Sequence, residues 1–331
     1  MRLYMCIMRQ KCWGGVFEPV EPPVEKPETP TTPPSTKDLL TIKIEDEIMA
    51  VVGTNTWNAI AYGNGKYVAV GTSGYIATST DGENWDASKS LTTTLTGVAF
   101  GDGFFVAVDS FGIAYASPDG INWTKYSVSG TSQAFYSVAF GDGKFIAVGD
   151  KSSTNGFIAE SADMFTWTST ILSELKETIQ SVIYDDVQNR FAAVSYRHVL
   201  FSEEDDDDMS MGGDSLIWRP YAVTESKDAY LTGIAYDGNT YMVCGQDQSK
   251  SPVEIVYATS SDGISWSELR TLGPGMGNSI TYINGHFVIC GYSAAPNPNV
   301  YTSIDGQTWN STTIYRDNGA IANIKDIIAM P

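Results

Sequence analysis

Five copies of one seven-residue pattern, Ser-x-Asp-x-x-x-Trp, limit what this chain can fold into more than any other feature. They run Ser79–Trp85, Ser117–Trp123, Ser161–Trp167, Ser260–Trp266 and Ser303–Trp309, and four of the five have Gly after the Asp. A pattern recurring about every 40 residues is the length of one small antiparallel sheet repeated along the chain. No such sheet can bury both faces alone, so the copies must stack on one another.

Each repeat opens with a short apolar strand, clearest in Asn58-Ala59-Ile60-Ala61-Tyr62 and seen again around Val98, Val138, Val182, Ile234 and Ile280. A tight turn follows, as in Gly63-Asn64-Gly65 and Gly141-Asp142-Gly143, and these residues suit the positive φ of a hairpin. A β-branched second strand, such as Lys144-Phe145-Ile146-Ala147-Val148-Gly149, leads to a third strand and the Asp-containing turn. The Trp opens a fourth, outer strand. Period-two alternation without a 3.6-residue period predicts an all-β chain almost free of helix. Four strands per unit at this spacing predict a β-propeller.

Closure of the ring is expected to use both chain ends. Ile327 falls 47 residues after Ile280 and aligns with Ile60, so residues 324–330 read as an inner strand without outer partners. The unassigned β-like segment 39–53 can supply them. This predicts seven blades, six complete and one composite; six blades is the alternative if the tail only augments the last repeat.

In the repeated turn the Asp carboxylate is placed to accept backbone N–H groups, Gly supplies positive φ and Trp covers the joint between sheets. Asp81 with Trp85, Asp119 with Trp123, Asp163 with Trp167, Asp262 with Trp266 and Asp305 with Trp309 are therefore structural residues. The motif resembles the Asp-box, or bacterial-neuraminidase repeat, of sialidase-like and photosystem-assembly-factor-like propellers. That resemblance implies the fold over about 270 residues but no single activity. A sialidase-like glycan-processing enzyme would need an arginine triad on inner strands. Arg219, Arg270 and Arg316 instead follow the Trp that opens an outer strand or its counterpart. With only His198 and His286 available, no catalytic residues, metal ligands or cofactor-binding residues are assigned, and the expectation is a protein that is not an enzyme.

The 20 basic and 39 acidic residues, net −19, argue against nucleic acid and anionic membrane as partners. Six consecutive carboxylates, Glu203 to Asp208, interrupt the fourth repeat and read as a solvated acidic loop. Cys244 and Cys290 occupy the repeat position of Val70 and Val148, as small core residues.

Ahead of the propeller, residues 39–331, stand two further parts. Residues 1–18 form an anchor peptide rich in sulfur and aromatic groups, with Leu3, Tyr4, Met5, Cys6, Cys12, Trp13 and Phe17 as its contact residues. Residues 19–38 are a proline-rich tether, extended to roughly 60 Å if fully stretched. Leu3 to Met8 is too short for a signal-peptide core or a membrane span.

The functional expectation is a structural or binding module, anchored to a larger assembly such as a tailed-phage virion and presenting its propeller to a protein or glycan. Strand order puts the loops between second and third strands on the less regular face, and such loops commonly carry recognition. The candidate contacts there are Asp109, Phe111, Lys151, Tyr196, Arg197, Gln246, Lys250 and Tyr292.

Overall fold

A computed structural model of the chain describes residues 3–4, 39–44, 47–53, 57–128, 133–151, 155–204, 216–294, 296–315 and 320–329. Most of the leader and tether, including Met5, Cys6, Cys12, Trp13 and Phe17, lies outside these residues, as does most of the acidic run. In chain order the first strands are β1 (Leu3–Tyr4), β2 (Leu39–Ile44) and β3 (Glu47–Gly53). Six antiparallel meanders follow. The first is β4 (Trp57–Gly63), β5 (Lys66–Gly71), β6 (Tyr75–Ser79) and β7 (Asp86–Lys89). The second is β8 (Leu95–Gly101), β9 (Phe104–Asp109), β10 (Ile113–Ser117) and β11 (Thr124–Ser127). The third is β12 (Gln133–Gly141), β13 (Lys144–Lys151), β14 (Asn155–Ser161) and β15 (Thr168–Leu172). The fourth is β16 (Ile179–Asp185), β17 (Arg190–Ser195), β18 (His198–Glu204) and β19 (Leu216–Ala222). The fifth is β20 (Ala229–Tyr236), β21 (Tyr241–Asp247), β22 (Glu254–Ser260) and β23 (Arg270–Pro274). The sixth is β24 (Met276–Ile283), β25 (His286–Tyr292), β26 (Val300–Ser303) and β27 (Asn310–Thr312), and β28 (Ile324–Ala329) ends the chain. Among the described residues the only helix is the 3₁₀ turn Thr72–Gly74, and no helix is long and apolar enough to cross a membrane.

The expectation of seven blades is corrected to six. Six sheets carry the full inner-to-outer order of four strands. The remaining sheet, ordered β1-β28-β3-β2, pairs the two chain ends with Ile327 opposite Val51, but it is not a copy of the repeat. Its fourth member is the two-residue β1, which pairs with β28 through Leu3 opposite Ala329 and Tyr4 opposite Ile328. Among the described residues no strand lies beyond β2, where each blade carries the strand that follows its third-to-fourth turn. The physical reason is one of length: residues 39–53 are enough for a two-stranded hairpin and no more. The sheet closes the circle of inner strands, because β28 contacts both β24 and β4.

Packing between blades builds the core. Each of six apolar clusters joins neighbouring sheets, for example Val106, Val108 and Ala116 of the second blade with Phe145, Ala147 and Phe157 of the third. The cluster at the seam joins Val288 and Cys290 of the sixth blade, Ile324 and Ile327 of β28, and Trp57 and Tyr67 of the first. Cys244 and Cys290 are fully buried free thiols whose proton affinity burial pushes up. An aromatic pair across the first and second strands recurs in every blade, from Tyr236–Tyr241 at 4.1 Å between centroids to Tyr184–Phe191 and Tyr282–Phe287 at 4.9 Å. Such cross-strand contacts add to area burial as the unit of sheet stability.

The repeated turn works as a carboxylate clamp. Asp119 Oδ1 accepts the N–H groups of Ile121 and Asn122, both at 2.8 Å, and the Ser117 hydroxyl at 2.9 Å. Trp123 Nε1 then donates to the Gly120 carbonyl at 3.1 Å. Asp81, Asp163, Asp262 and Asp305 accept the equivalent backbone N–H groups. Hydrogen bonds to the charged form hold all five carboxyls below the ordinary range, that of Asp262 at about 2. These carboxylates are committed to backbone, which fixes one face of the ring as regular scaffold.

Candidate functional site at the tunnel and its mouth

The inner strands β4, β8, β12, β16, β20, β24 and β28 enclose an axial cavity of about 260 Å³. Each carries a β-bulge at the same place, near its start, that inserts one extra residue: Asn58, Thr96, Tyr136, Gln180, Thr232, Asn278 and Lys325. All seven line the cavity. Bulges re-aim a side chain out of the regular alternation, and here they turn polar groups toward the axis.

Four of these residues link each inner strand to the next. Asn58 Nδ2 donates to the Leu95 carbonyl at 2.7 Å, and Thr96 Oγ1 to the Phe135 carbonyl at 2.7 Å. Thr232 Oγ1 donates to the Gly277 carbonyl at 2.8 Å, and Asn278 Nδ2 to the Ile324 carbonyl at 2.6 Å. The accepting carbonyl is in each case that of the residue just before the next bulge. Tyr136, Gln180 and Lys325 make no such bridge among the described residues. Beside Lys325, Asp326 accepts the Ile60 N–H at 3.1 Å through Oδ2 and its neighbour Ile327's N–H at 2.9 Å through Oδ1. Burial pushes its carboxyl up to about 6 in spite of these bonds.

At the mouth on the loop face, blades three, four and five converge. Tyr136 reaches Asp150 Oδ2 at 3.4 Å, and burial followed by the Asp150 charge raises its phenol to about 12. Tyr196 packs edge-on against Tyr230 with centroids 4.9 Å apart. The loop bearing Tyr196 and Arg197 is held by a buried hub, Glu177. One carboxylate oxygen accepts the Ser195 hydroxyl at 2.7 Å and the Arg197 N–H at 3.1 Å, and lies 3.1 Å from His198 Nδ1. The other takes the Arg197 guanidinium. Burial alone would raise Glu177, but the His198 and Ser195 hydrogen bonds, the His198 charge and the Arg197 hydrogen bond outweigh it and hold it at about 2. The Tyr196 carbonyl accepts the N–H of Leu231 from the following repeat at 3.0 Å, and the Arg197 carbonyl accepts that of Val223, just past β19 of the same blade, at 2.8 Å. The mouth loop is thus pre-organised.

Of the residues expected from sequence, Tyr196, Arg197 and Gln246 come together here, Gln246 lying opposite Tyr230 in the β20–β21 pair. Asp109 does not face solvent. It is 1% exposed and accepts the N–H groups of Phe111 and Ile113 at 2.8 and 2.9 Å, with the Tyr115 hydroxyl at 3.2 Å, so it shapes its own loop. Phe111, 69% exposed, and Tyr292, 42% exposed, stand apart on the second and sixth blades. Lys250 is exposed beside Asp247, whose carboxyl its charge helps to lower. Lys151 ends β13, and its side chain lies outside the described residues. Sequence reasoning did not single out Tyr136, Tyr230, Glu177, Lys325 or Asp326. One signal was present: Lys325-Asp326 puts two charges where the aligned first strand has Asn58-Ala59.

Among the described residues no cluster of His, Cys, Asp and Glu could hold a metal ion, and the described inner strands contain no arginine. The chain matches no curated protein. It superposes on the solved structure of "YCF48 bound to D1 peptide" with a TM-score of 0.57 and 15% identity, over 91% of this chain and 98% of that one. With 873 solved chains sharing the likeness, it shows the fold without choosing an activity. Residues 98–318 match the model of the DUF6242 beta propeller domain. With that match covering two thirds of its length, the chain belongs to the DUF6242 beta-propeller family.

Proposed function

We propose that this protein is a non-enzymatic binding propeller that captures a polypeptide at the tunnel mouth on its loop face. The observation that carries the proposal is the convergence of Tyr136, Tyr196, Tyr230, Arg197 and Gln246 over a loop braced by Glu177. Tyrosine and arginine are the side chains most used to bind protein at low entropic cost. The bracing means little order has to be gained on binding. YCF48, similar in fold, was solved with a peptide bound, which supports a protein ligand for a ring of this build. Attachment of the propeller to a larger assembly such as a virion, through residues 1–18, is part of the same proposal and rests on the sequence. Loss of incorporation on deleting residues 1–37 would support that part, and unchanged incorporation would refute it.

A random peptide library displayed against the full chain tests the mouth. Selected peptides are expected to lose about tenfold or more in affinity with Tyr196→Ala or Arg197→Ala. Phe165→Ala, at a repeated turn on the other face, should leave affinity unchanged. Equal losses from both faces, or no selected peptide, would overturn the reading.

A further inference from the structure

The bulge residues that do not bridge to the next strand are not scattered at random around the ring. Tyr136 and Gln180 lie on the adjacent strands β12 and β16. The order of contacts β28, β4, β8, β12 in one direction and β28, β24, β20, β16 in the other puts β28 three strands from each. Lys325 therefore stands across the tunnel from the Tyr136–Gln180 pair, and all three line the one cavity.

Lys325 has no carboxylate partner among the described residues. Its sequence neighbour Asp326 is turned to the Ile60 and Ile327 N–H groups. Burial lowers the affinity of the lysine for its proton, and no carboxylate is among the groups that offset this. A half-buried ammonium with no counter-charge is costly. Each equivalent bulge residue on the neighbouring strands, Asn58 and Asn278, spends its polar head on a strand-to-strand bridge; Lys325 does not. The Gln180 amide, likewise unbonded among the described residues, offers a second donor from the far wall.

We infer that the tunnel is a binding site for a single carboxylate group, held by Lys325 on one wall and by Gln180 on the other. The cavity of about 260 Å³ is below the roughly 300–1,000 Å³ of sites for drug-sized molecules. It suits a short organic acid, or the terminal carboxylate of a chain entering from the mouth. The net charge of −19 disfavours a polyanion and leaves room for one anionic group at one half-buried cation. This site is separate from the aromatic mouth and stands whether or not the mouth binds a polypeptide.

Calorimetric titration of the full chain at pH 7 tests it with four probes: succinate, its neutral analogue succinamide, and a short peptide as free acid and as amide. An acid is expected to bind saturably while its neutral counterpart does not. A response to succinate identifies a small acid, and a response only to the free-acid peptide identifies a chain terminus. Lys325→Met should weaken binding about tenfold or more, and Gln180→Ala should weaken it less. Binding of neither acid, equal binding of the neutral probes, or undiminished binding to Lys325→Met with native tryptophan fluorescence would overturn the site. If Lys325→Met does not fold, the wild-type chain with ¹³C-methylated lysines decides: one lysine resonance must shift on adding the acid, and its failure to shift refutes the inference.

Discussion

At the scale of single residues, the same backbone conformation serves two purposes around this ring, and substitution separates them. Gly65 in the first hairpin and Gly263 in a repeated turn have φ of +70° and +77°. A methyl group added at Gly65 meets nothing within 4 Å, whereas one at Gly263 comes within 2.3 Å of Phe201 Cζ in the preceding blade. Gly65→Ala should therefore cost only the left-handed strain, about 1–2 kcal/mol. Gly263→Ala adds overpacking of about 1–3 kcal/mol to that strain. Urea denaturation of both variants checks the difference, and equal losses would mean that the blade joint yields freely. Met164 shows the strain can be borne. It occupies the Gly position of the third copy at φ +60°, buried in the joint between blades.

At the scale of the strand, the repeat was readable from sequence because its turn needs particular residue types, Asp to accept N–H groups and Gly to reach positive φ. The same logic located Ile327 opposite Val51, since an apolar strand at the end of the chain needs a partner. The bulges were not readable. Asn58, Thr96, Tyr136, Gln180, Thr232, Asn278 and Lys325 share a place and a polar head but no residue type, so no fixed motif marks them. Asp109 was misplaced for a related reason: the sequence says where a loop is, and only coordinates show that its carboxylate turns inward. The blade count went astray because a hairpin and an orphan strand supply only part of a blade's material. Where the bulge bridges do exist, they should matter most at β28, whose sheet partner β3 comes from the far end of the chain. Asn278→Ala removes the 2.6 Å bond to the Ile324 carbonyl and the 2.8 Å bond to Asn323. Hydrogen exchange at the β28 amides should quicken by the equivalent of about 1–3 kcal/mol. Thr96→Val, which breaks the like bridge between the second and third blades, should leave β28 protected. Equal protection of β28 in both variants would deny the seam any special weakness.

At the scale of the whole molecule, two sets of carboxyls pull stability in opposite directions with pH. The five turn aspartates and Glu177 have folded affinities for protons below their unfolded ones. Their contribution is complete above about pH 5 and is lost as pH falls through the folded values. Glu177 alone, held at about 2 while 5% exposed, accounts for about 3 kcal/mol. Asp326 has the other sign. Its folded value of about 6 exceeds the ordinary 3.8, so the folded state gains protons that the unfolded state does not hold. Its penalty is absent below about pH 4 and grows as pH rises through 6. The full penalty is at most about 3 kcal/mol, less what water in the tunnel screens. The net −19 charge reinforces this trend, since self-repulsion eases as carboxyls protonate. Stability is therefore expected to peak near pH 5 and to fall toward both pH 3 and pH 7, measured as urea midpoints. Asp326→Asn, which retains an acceptor for the Ile60 N–H, should flatten the limb between about pH 5 and 7 and leave the acid limb intact. Glu177→Gln should lower stability at neutral pH and flatten the acid limb instead. A midpoint that climbs from pH 5 to pH 7 in the wild-type chain would remove Asp326 as a destabilising charge, and the closing strand would then owe nothing to its protonation.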